Sequence, residues 1–198
     1  MYYTGIHDTS LQVKNMVTKI GENTPPGYPG EYEAWFTVKD GRRVFIRPIK
    51  PADQELLLDL FQRLSDHSIQ MRFLGHLPGL SPELLDYLTI VNYVSDFAIV
   101  AMVVEKKEDH IIAVCRYHSD SQTNSTELAV AVRDDWQGMG LGKEMVRRLL
   151  TIARDNGIRR IEAVVDPSNA AFRKLLNALG SPYTSRPLHG FYRFLMEL

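Results

Sequence analysis

The sequence has little of several features that would mark particular classes of protein. It contains one cysteine, Cys115, among 198 residues, so no intramolecular disulfide can form. Its 23 Lys and Arg nearly balance 24 Asp and Glu, and a formal charge of -1 provides no electrostatic footprint for duplex DNA or an anionic membrane. The longest apolar run, residues 97–104, is far shorter than the about 20 residues of a membrane-spanning helix. We therefore expect a cytoplasmic protein that binds neither nucleic acid nor membrane.

Patterns typical of metal centres and cysteine nucleophiles are also missing. Cys115 lies in an apolar stretch, and no histidine stands at a spacing typical of a catalytic Cys–His pair. This favours a buried structural thiol over a nucleophile. The histidines are scattered without the spacing of metal ligands. They are His7, His67, His76, His110, His118 and His189. We expect no metal.

What is present is the composition of one ordinary globular domain, with 44% hydrophobic and 24% charged residues. Residues 1–31, rich in Thr, Asn, Gly and Pro, are predicted to be an N-terminal extension in which only residues 11–20 favour a short helix. Residues 32–198 are predicted to be the domain. Their periodicities give the order strand pair, helices, three strands, helix, strand, helix, strand pair. This order indicates the α/β (α+β) class.

The most informative stretch is Arg133-Asp-Asp-Trp-Gln-Gly-Met-Gly-Leu-Gly-Lys143, which joins a predicted strand directly to a predicted helix. Glycines let successive backbone N–H groups turn toward one point, and a helix N-terminus favours an anion there, most simply a phosphate. The stretch is not a nucleotide-binding P-loop, because Gln137 and Glu144 stand where that motif needs Gly and Ser or Thr. It is not the dinucleotide fingerprint either, because its strand follows two hairpin-connected strands.

The spacing Gln137-x-x-Gly140-x-Gly142 resembles the Arg/Gln-x-x-Gly-x-Gly/Ala signature of the GNAT family of N-acetyltransferases. Asn169, with Phe172, Leu175 and Gly180 after it, resembles the second half of the family pattern. Within the family, residues 32–180 are most similar to the acetyltransferase domain of bacterial protein lysine acetyltransferases. The stretches that carry this likeness are Asp40-Gly41, Ile46-Arg47-Pro48-Ile49, Pro51-Ala52-Asp53, Leu64-Ser65, Arg72-Phe73 and Val132-Arg133-Asp134-Asp135-Trp136-Gln137-Gly138.

The resemblance implies a mixed, mostly antiparallel sheet of about seven strands with about four helices, splayed between two central strands. Acetyl-CoA would bind in the opening as co-substrate. Its pantetheine would lie along the first of these two central strands, around Ala131 and Val132, and its pyrophosphate on the glycine loop. Asn169 would contact the cofactor, although an Asn near a helix start is often only a cap. The implied cofactor-binding residues are Val130, Ala131, Val132, Gln137, Gly138, Met139, Gly140, Leu141, Gly142, Lys143 and Asn169.

The resemblance also implies a catalytic base, Glu127, ten residues before Gln137. A base is needed because a lysine ammonium with a pKa of about 10.4 is neutral in only about 1 molecule in 2,500 at pH 7. A carboxylate is a weak base, so either burial or a relaying water must assist it. The alternative is that Glu127 merely begins an edge strand and faces solvent. A backbone N–H near Val130 or Ala131 would stabilise the oxyanion if the strand bulges there.

Where many family members have a tyrosine as general acid, this sequence has Leu176, so no dedicated acid is expected. Arg72 lies in the region that shapes the acceptor side in this family, and a surface arginine fits its position equally well. The first functional hypothesis is transfer of acetyl to the ε-amine of a protein lysine. The alternatives are acetylation of a small amine, or a catalytically silent coenzyme A sensor. The sequence does not indicate an oligomeric state.

Overall fold

The computed structural model describes residues 24–123 and 125–198, which hold eight strands and five α-helices. The strands are β1 (Ala34–Thr37), β2 (Arg43–Pro48), β3 (Asp96–Glu105), β4 (Glu108–Asp120), β5 (Ser125–Val132), β6 (Arg160–Val165), β7 (Tyr183–Leu188) and β8 (Phe191–Glu197). The helices are α1 (Gln54–Gln62), α2 (Asp66–Phe73), α3 (Pro82–Thr89), α4 (Leu141–Asp155) and α5 (Ala170–Leu179). These numbers are close to the expected seven and four. The predicted helix at residues 11–20 lies outside the described residues.

The strands form one sheet in the order β1-β2-β3-β4-β5-β6-β8-β7. Every neighbouring pair is antiparallel except β5 and β6, which are parallel. In the described residues, β5 and β6 pair at one position, where Glu127 lies beside Glu162. Beyond that point the two strands separate. The expected mixed sheet with a splay between two central strands is therefore confirmed.

Local sequence signals set the turns and helix ends. Gly41, after Asp40, adopts a left-handed φ of 90° in the β1–β2 turn, a conformation that favours glycine. Ser65 and Ser81 cap α2 and α3, because each hydroxyl accepts a hydrogen bond from the backbone N–H three residues later. A turn that starts at Asp166 precedes α5, which begins at Ala170. Its cap is Asn169, and Asp166 closes the preceding turn by accepting from the Ser168 N–H at 2.8 Å.

Apolar side chains fill both faces of the sheet. On one face, α4 and α5 bury Leu141, Met145 and Leu149 against β-strand residues such as Phe97. The apolar face of α4 is therefore the one that packs inward. On the other face, the helices α1 to α3 cover residues of β2 to β5. Their core includes Leu57, Leu60, Leu88, Ile49, Val100 and Ile111.

Residues just before β1 pack against the domain. The Tyr28 hydroxyl donates to the Glu33 carboxylate at 2.7 Å, and its ring lies edge-on to Tyr93 at 5.8 Å between centroids. Tyr32 contacts Phe97 in the same way at 5.7 Å. In the described residues no helix is both long enough and apolar enough to cross a bilayer.

Candidate active site

The loop between β5 and α4 presents a row of backbone donors. Its residues 137–143, here called the anion loop, follow a short 3-10 helix, Asp134–Trp136. Gly138 and Gly140 have left-handed φ values of 72° and 87°, which a residue with a side chain adopts only at a cost. Within the described residues, the N–H groups of residues 138–143 have no intramolecular acceptor. Free N–H groups at the start of a helix are suited to a phosphate or pyrophosphate.

Gln137, the first residue of the anion loop, has its donors engaged inside the protein. Its backbone N–H donates to the Asp134 carbonyl at 3.2 Å. Its side-chain amide donates to the Val132 carbonyl at 3.0 Å and the Ser68 hydroxyl at 3.1 Å. Gln137 therefore fastens the loop to the end of β5 and to α2, whereas the glycine-rich residues after it leave their N–H groups open.

The β1–β2 hairpin holds the other side of the loop. The Lys39 backbone N–H donates to the Met139 carbonyl at 3.2 Å. The Arg42 guanidinium lies over the ring of Trp136, 3.6 Å from its centroid, and Trp136 is buried beneath it. This cation–π contact fixes the turn just before the anion loop. Lys143 is exposed on the first turn of α4.

The gap left between β5 and β6 forms a cleft beside this loop. Because β5 has lost its parallel partner there, the edge of β5 that faces the gap, which carries backbone groups of Val130 and Val132, has no strand beside it. We call the space between the two strands the cleft cavity. Its lining is contributed by α2, β5, β6 and α5. The lining residues are Met71, Arg72, Leu74, Glu127, Leu128, Ala129, Val130, Ala163, Val164, Val165, Asn169 and Phe172.

Glu127 is exposed at the mouth of this cavity. Strand alternation places Ala129 and Ala131 on the same face of β5 as Glu127. Glu127 lies directly opposite His118 in the β4–β5 register, and Ala129 lies opposite Arg116. Small side chains therefore leave room along β5, while polar side chains lie beside it on β4.

The polar group on β3, β4 and α3 was not part of the sequence prediction. Arg116 donates to the Asp96 carboxylate at 2.8 Å and stacks its guanidinium on the Tyr87 ring at 4.5 Å. His118 contacts the same ring at 5.7 Å, and its Nδ1 lies 3.7 Å from the Asp96 carboxylate. The available signal is the presence of Arg116 and His118, two residues apart, directly after the apolar run of residues 111–115.

A second space, the apolar cavity, lies under α1 to α3, on the face of the sheet that these helices cover. Arg72 lines both this space and the cleft cavity. Ala131 and Val114 form part of the floor of the apolar cavity, and Arg116 stands beside Arg72. Leucine and phenylalanine side chains complete it: Leu57, Leu60, Phe61, Leu64, Phe73, Leu80 and Leu88.

β5 does not bulge near Val130 and Ala131, because the β4–β5 register runs without a shift. The register shift lies instead in β3, between Ala101 and Met102. A bulge is unnecessary for exposing donors here, since the separation of β6 already opens that edge of β5.

The remaining predicted positions take structural places. The Asn169 side-chain oxygen accepts from the Phe172 N–H at 2.9 Å, so it caps α5 while lining the cleft cavity. Leu176 is 1% exposed and packs in the core, where it offers no proton. Cys115 is fully buried, and burial raises the pKa of its thiol, which agrees with a structural role. Residues 24–123 and 125–198 contain no cluster of metal ligands.

Comparisons with known sequences agree with this geometry. The family model for the acetyltransferase (GNAT) domain matches residues 43–181. Acetyltransferase PA5475 of Pseudomonas aeruginosa is 38% identical over 144 residues, which cover 73% of this chain and 77% of that protein. Acetyltransferase Pat of Mycolicibacterium smegmatis is 31% identical over 153 residues, or 76% of this chain. That match covers only 45% of Pat, so the chain spans less than half of its length.

Solved structures show the same architecture. The GNAT domain of S. lividans PAT has a TM-score of 0.79 and 28% identity, covering 86% of this chain and 99% of that domain. The yncA protein of Salmonella typhimurium, solved with its cofactor acetyl-CoA, has a TM-score of 0.57 and covers 78% of this chain and 92% of its own. At 20% identity, yncA shows a likeness of fold alone.

Proposed function

Because the chain belongs to the GNAT family of N-acetyltransferases, we propose that it transfers the acetyl group of acetyl-CoA to the ε-amine of a protein lysine. The observation that carries this proposal is the place of Glu127, whose carboxylate is exposed where β5 and β6 part. A base at that point faces both the open strand edge and the solvent from which an amine arrives.

The anion loop supports a site for the pyrophosphate of acetyl-CoA. Its free N–H groups at residues 138–143 and its two left-handed glycines form a concave row of donors at a helix start. Along the open edge of β5, we expect the pantetheine to pair with backbone groups of Val130 and Val132, since strand alternation turns those of Ala131 toward Val114 of β4. The side-chain amide nitrogen of Asn169 provides a further donor at the cleft cavity.

In the proposed reaction the amine nitrogen attacks the thioester carbonyl carbon, forming the C–N bond and breaking the C–S bond. Two protons leave the ammonium nitrogen. One passes to Glu127 and on to solvent, and the other is released to water, while the thiolate sulfur takes up one proton. Because Glu127 is exposed, a relaying water suits the first transfer better than a desolvated carboxylate does. With Leu176 buried in the core, the thiolate takes its proton from water.

The surface around the cleft favours a protein as the acceptor. Tyr87, which contacts His118 beside Glu127, is 49% exposed. Ile90 follows at the end of α3, and Val94 lies in the next loop, each 57% exposed. Exposed apolar side chains on α3 and in the loop after it are typical of a surface that meets another protein, whereas a small metabolite is usually enclosed. The sequence likeness to protein lysine acetyltransferases supports the same acceptor.

The test is release of free thiol from acetyl-CoA with lysine peptides and with a desalted protein extract as acceptors. Glu127→Gln is expected to lower kcat/KM at least about 100-fold, the usual contribution of a general base. Coenzyme A binding, measured by calorimetry, should remain, because Glu127 lies outside the anion loop. Glu108→Gln is the matched control, since Glu108 is exposed at the far end of the β3–β4 hairpin.

Acetyl-lysine detected by mass spectrometry in the extract, and its dependence on Glu127, would support the proposal. Turnover with small amines but not with any protein would replace it by the small-amine hypothesis. Binding of acetyl-CoA without turnover on either class of acceptor would indicate a coenzyme A sensor.

A further inference from the structure

Arg72, on the last turn of α2, carries a charge at the junction of the two cavities. It lines the cleft cavity together with Glu127 and Ala129, and the apolar cavity together with Ala131. The side chain is only partly exposed. The guanidinium is therefore placed beside the stretch of β5 over which the reacting groups would meet.

The charge of Arg72 has no neutralising partner in the described part of the chain. Its side chain makes neither an ion pair nor a hydrogen bond there, and its ring contact is with the adjacent Phe73 at 4.8 Å. Arg116 next to it is different, because it has Asp96 at 2.8 Å and the Tyr87 carbonyl at 3.3 Å. A partly buried cation without a counter-ion is destabilising, so its presence beside a reactive site calls for an explanation.

The charges that face Arg72 leave it a net cation. Burial, followed by repulsion from Arg116, lowers the pKa of Arg72 to about 10, so it is still protonated at neutral pH. Glu127 is the carboxylate that acts on it, and it does so without direct contact. Because Glu127 is exposed at the mouth, its charge is largely screened by water.

We propose that Arg72 binds a carboxylate of the substrate, close to the acyl carbon or the acceptor amine. A guanidinium offers two parallel N–H donors that match the two oxygens of a carboxylate, and this geometry is not reproduced by lysine. The inference rests on the proposed acyl transfer and deepens it by naming a substrate class. The carboxylate has two sources: the far end of a dicarboxylic acyl group, or an acidic group beside the acceptor amine.

Two series of substrates separate these sources. In the first, succinyl-CoA is compared with butyryl-CoA, using one neutral lysine peptide, since the two acyl groups differ by a carboxylate in place of a methyl group. In the second, acetyl-CoA is used with lysine peptides flanked by Glu or by Gln. In each series the measured quantity is the ratio of kcat/KM for the acidic substrate over its neutral counterpart.

Arg72→Gln is expected to lower that ratio about 10- to 100-fold in one of the two series, the range for a lost hydrogen-bonded ion contact. Arg72→Lys keeps the charge and should lower it less. Arg154→Gln is the matched control, because Arg154 is exposed near the C-terminal end of α4 and lines neither cavity. Its ratios should equal those of the wild type.

A fall in the first series would assign the carboxylate to the acyl donor, and a fall in the second would assign it to the acceptor. Equal losses with acidic and neutral substrates in both series would overturn the proposal and leave Arg72 a structural residue. A wild type that prefers the neutral substrate in both series would overturn it too.

A binding measurement keeps this result separate from the fate of the proposed function. If the wild type transfers no acyl group to any lysine, the proposed function is wrong. The Kd values of succinyl-CoA and butyryl-CoA, measured by calorimetry for the wild type and the Arg72 variant, still show whether Arg72 binds a carboxylate of the acyl donor. The acceptor series is then read as the Kd of Glu- and Gln-flanked peptides for the coenzyme A complex. Arg72→Lys, checked by thermal unfolding, is used in both if Arg72→Gln does not fold.

Discussion

The Asp134 carboxylate accepts two hydrogen bonds from Ser65, one from its backbone N–H at 2.9 Å and one from its hydroxyl at 2.8 Å. Ser65 is also the N-cap of α2, so one residue both starts the helix and holds the turn after β5. The same helix carries Arg72 to the cleft. The turn before the anion loop and α2 are therefore joined by hydrogen bonds, and a shift of either is expected to move the other.

This connection makes a prediction about the pH dependence of stability. Although partial burial raises the pKa of Asp134, hydrogen bonds from Ser65 and Ser68 outweigh it and hold the pKa below its ordinary value. A carboxyl whose pKa is lowered by folding stabilises the fold above the unfolded pKa of about 3.9, and that contribution is lost as the pH falls through the folded pKa. The urea midpoint of the wild type should therefore fall more steeply below about pH 4 than that of Asp134→Asn.

Ser68→Ala provides the control for this measurement. It removes one of the donors to Asp134, the hydroxyl at 2.8 Å, and leaves both from Ser65. Its profile is expected to lie between those of the wild type and Asp134→Asn. Parallel acid profiles for all three proteins would show that these hydrogen bonds do not lower the pKa of Asp134.

The left-handed backbone of the anion loop leads to a prediction about coenzyme A affinity. Gly138→Ala places a Cβ where no atom lies within 4 Å, so its effect comes only from the φ of 72°. A residue with a side chain is destabilised by about 1–2 kcal/mol in this left-handed conformation. Because the loop is exposed, we expect its backbone to change conformation while the rest of the domain stays folded. We expect coenzyme A to bind about tenfold more weakly to this variant, by calorimetry.

Gly79→Ala is the matched control, since Gly79 also has open space around it and has no left-handed φ. It should bind coenzyme A like the wild type and unfold at the same temperature. If Gly138→Ala binds as tightly as Gly79→Ala, the left-handed residues of the loop are not needed for the phosphate site.

Features that depend on near neighbours in the chain could be predicted. Gly41 and Gly180 both have the left-handed φ that their turn positions require, and Ser65 and Ser81 both cap the helices that follow them. The anion loop belongs to this group, because its glycines and its helix start lie within seven residues. In each case the residue type and its immediate position decide the backbone conformation.

Features that depend on packing could not be predicted. Glu127 faces His118 only because of the register of β4 on β5, and alternation fixes the face of a strand without fixing its partner. Arg72 could be a surface residue or a cleft residue until the packing of α2 is known. The β3–β4 turn uses Lys106 and Lys107 at φ values of 53° and 73°, where glycine or asparagine is the usual signal.

The buried ion pair of Arg47 and Asp53 leads to a prediction about the stability of the whole domain. Two hydrogen bonds of 2.6 and 2.7 Å join the guanidinium to the carboxylate, and Asp53 also accepts the Lys50 N–H at 2.7 Å. Both side chains are almost fully buried at the junction of β2 and α1. Asp53→Asn leaves the Arg47 charge buried without its counter-ion, so the free energy of unfolding should fall by about 3–5 kcal/mol, measured by urea denaturation at neutral pH.

Glu197→Gln is the control for this measurement. It removes one partner of the exposed Arg160–Glu197 pair and should leave the urea midpoint unchanged within error. Similar small losses in both variants would mean that water or another group compensates Arg47, and that the pair does not fix the start of α1.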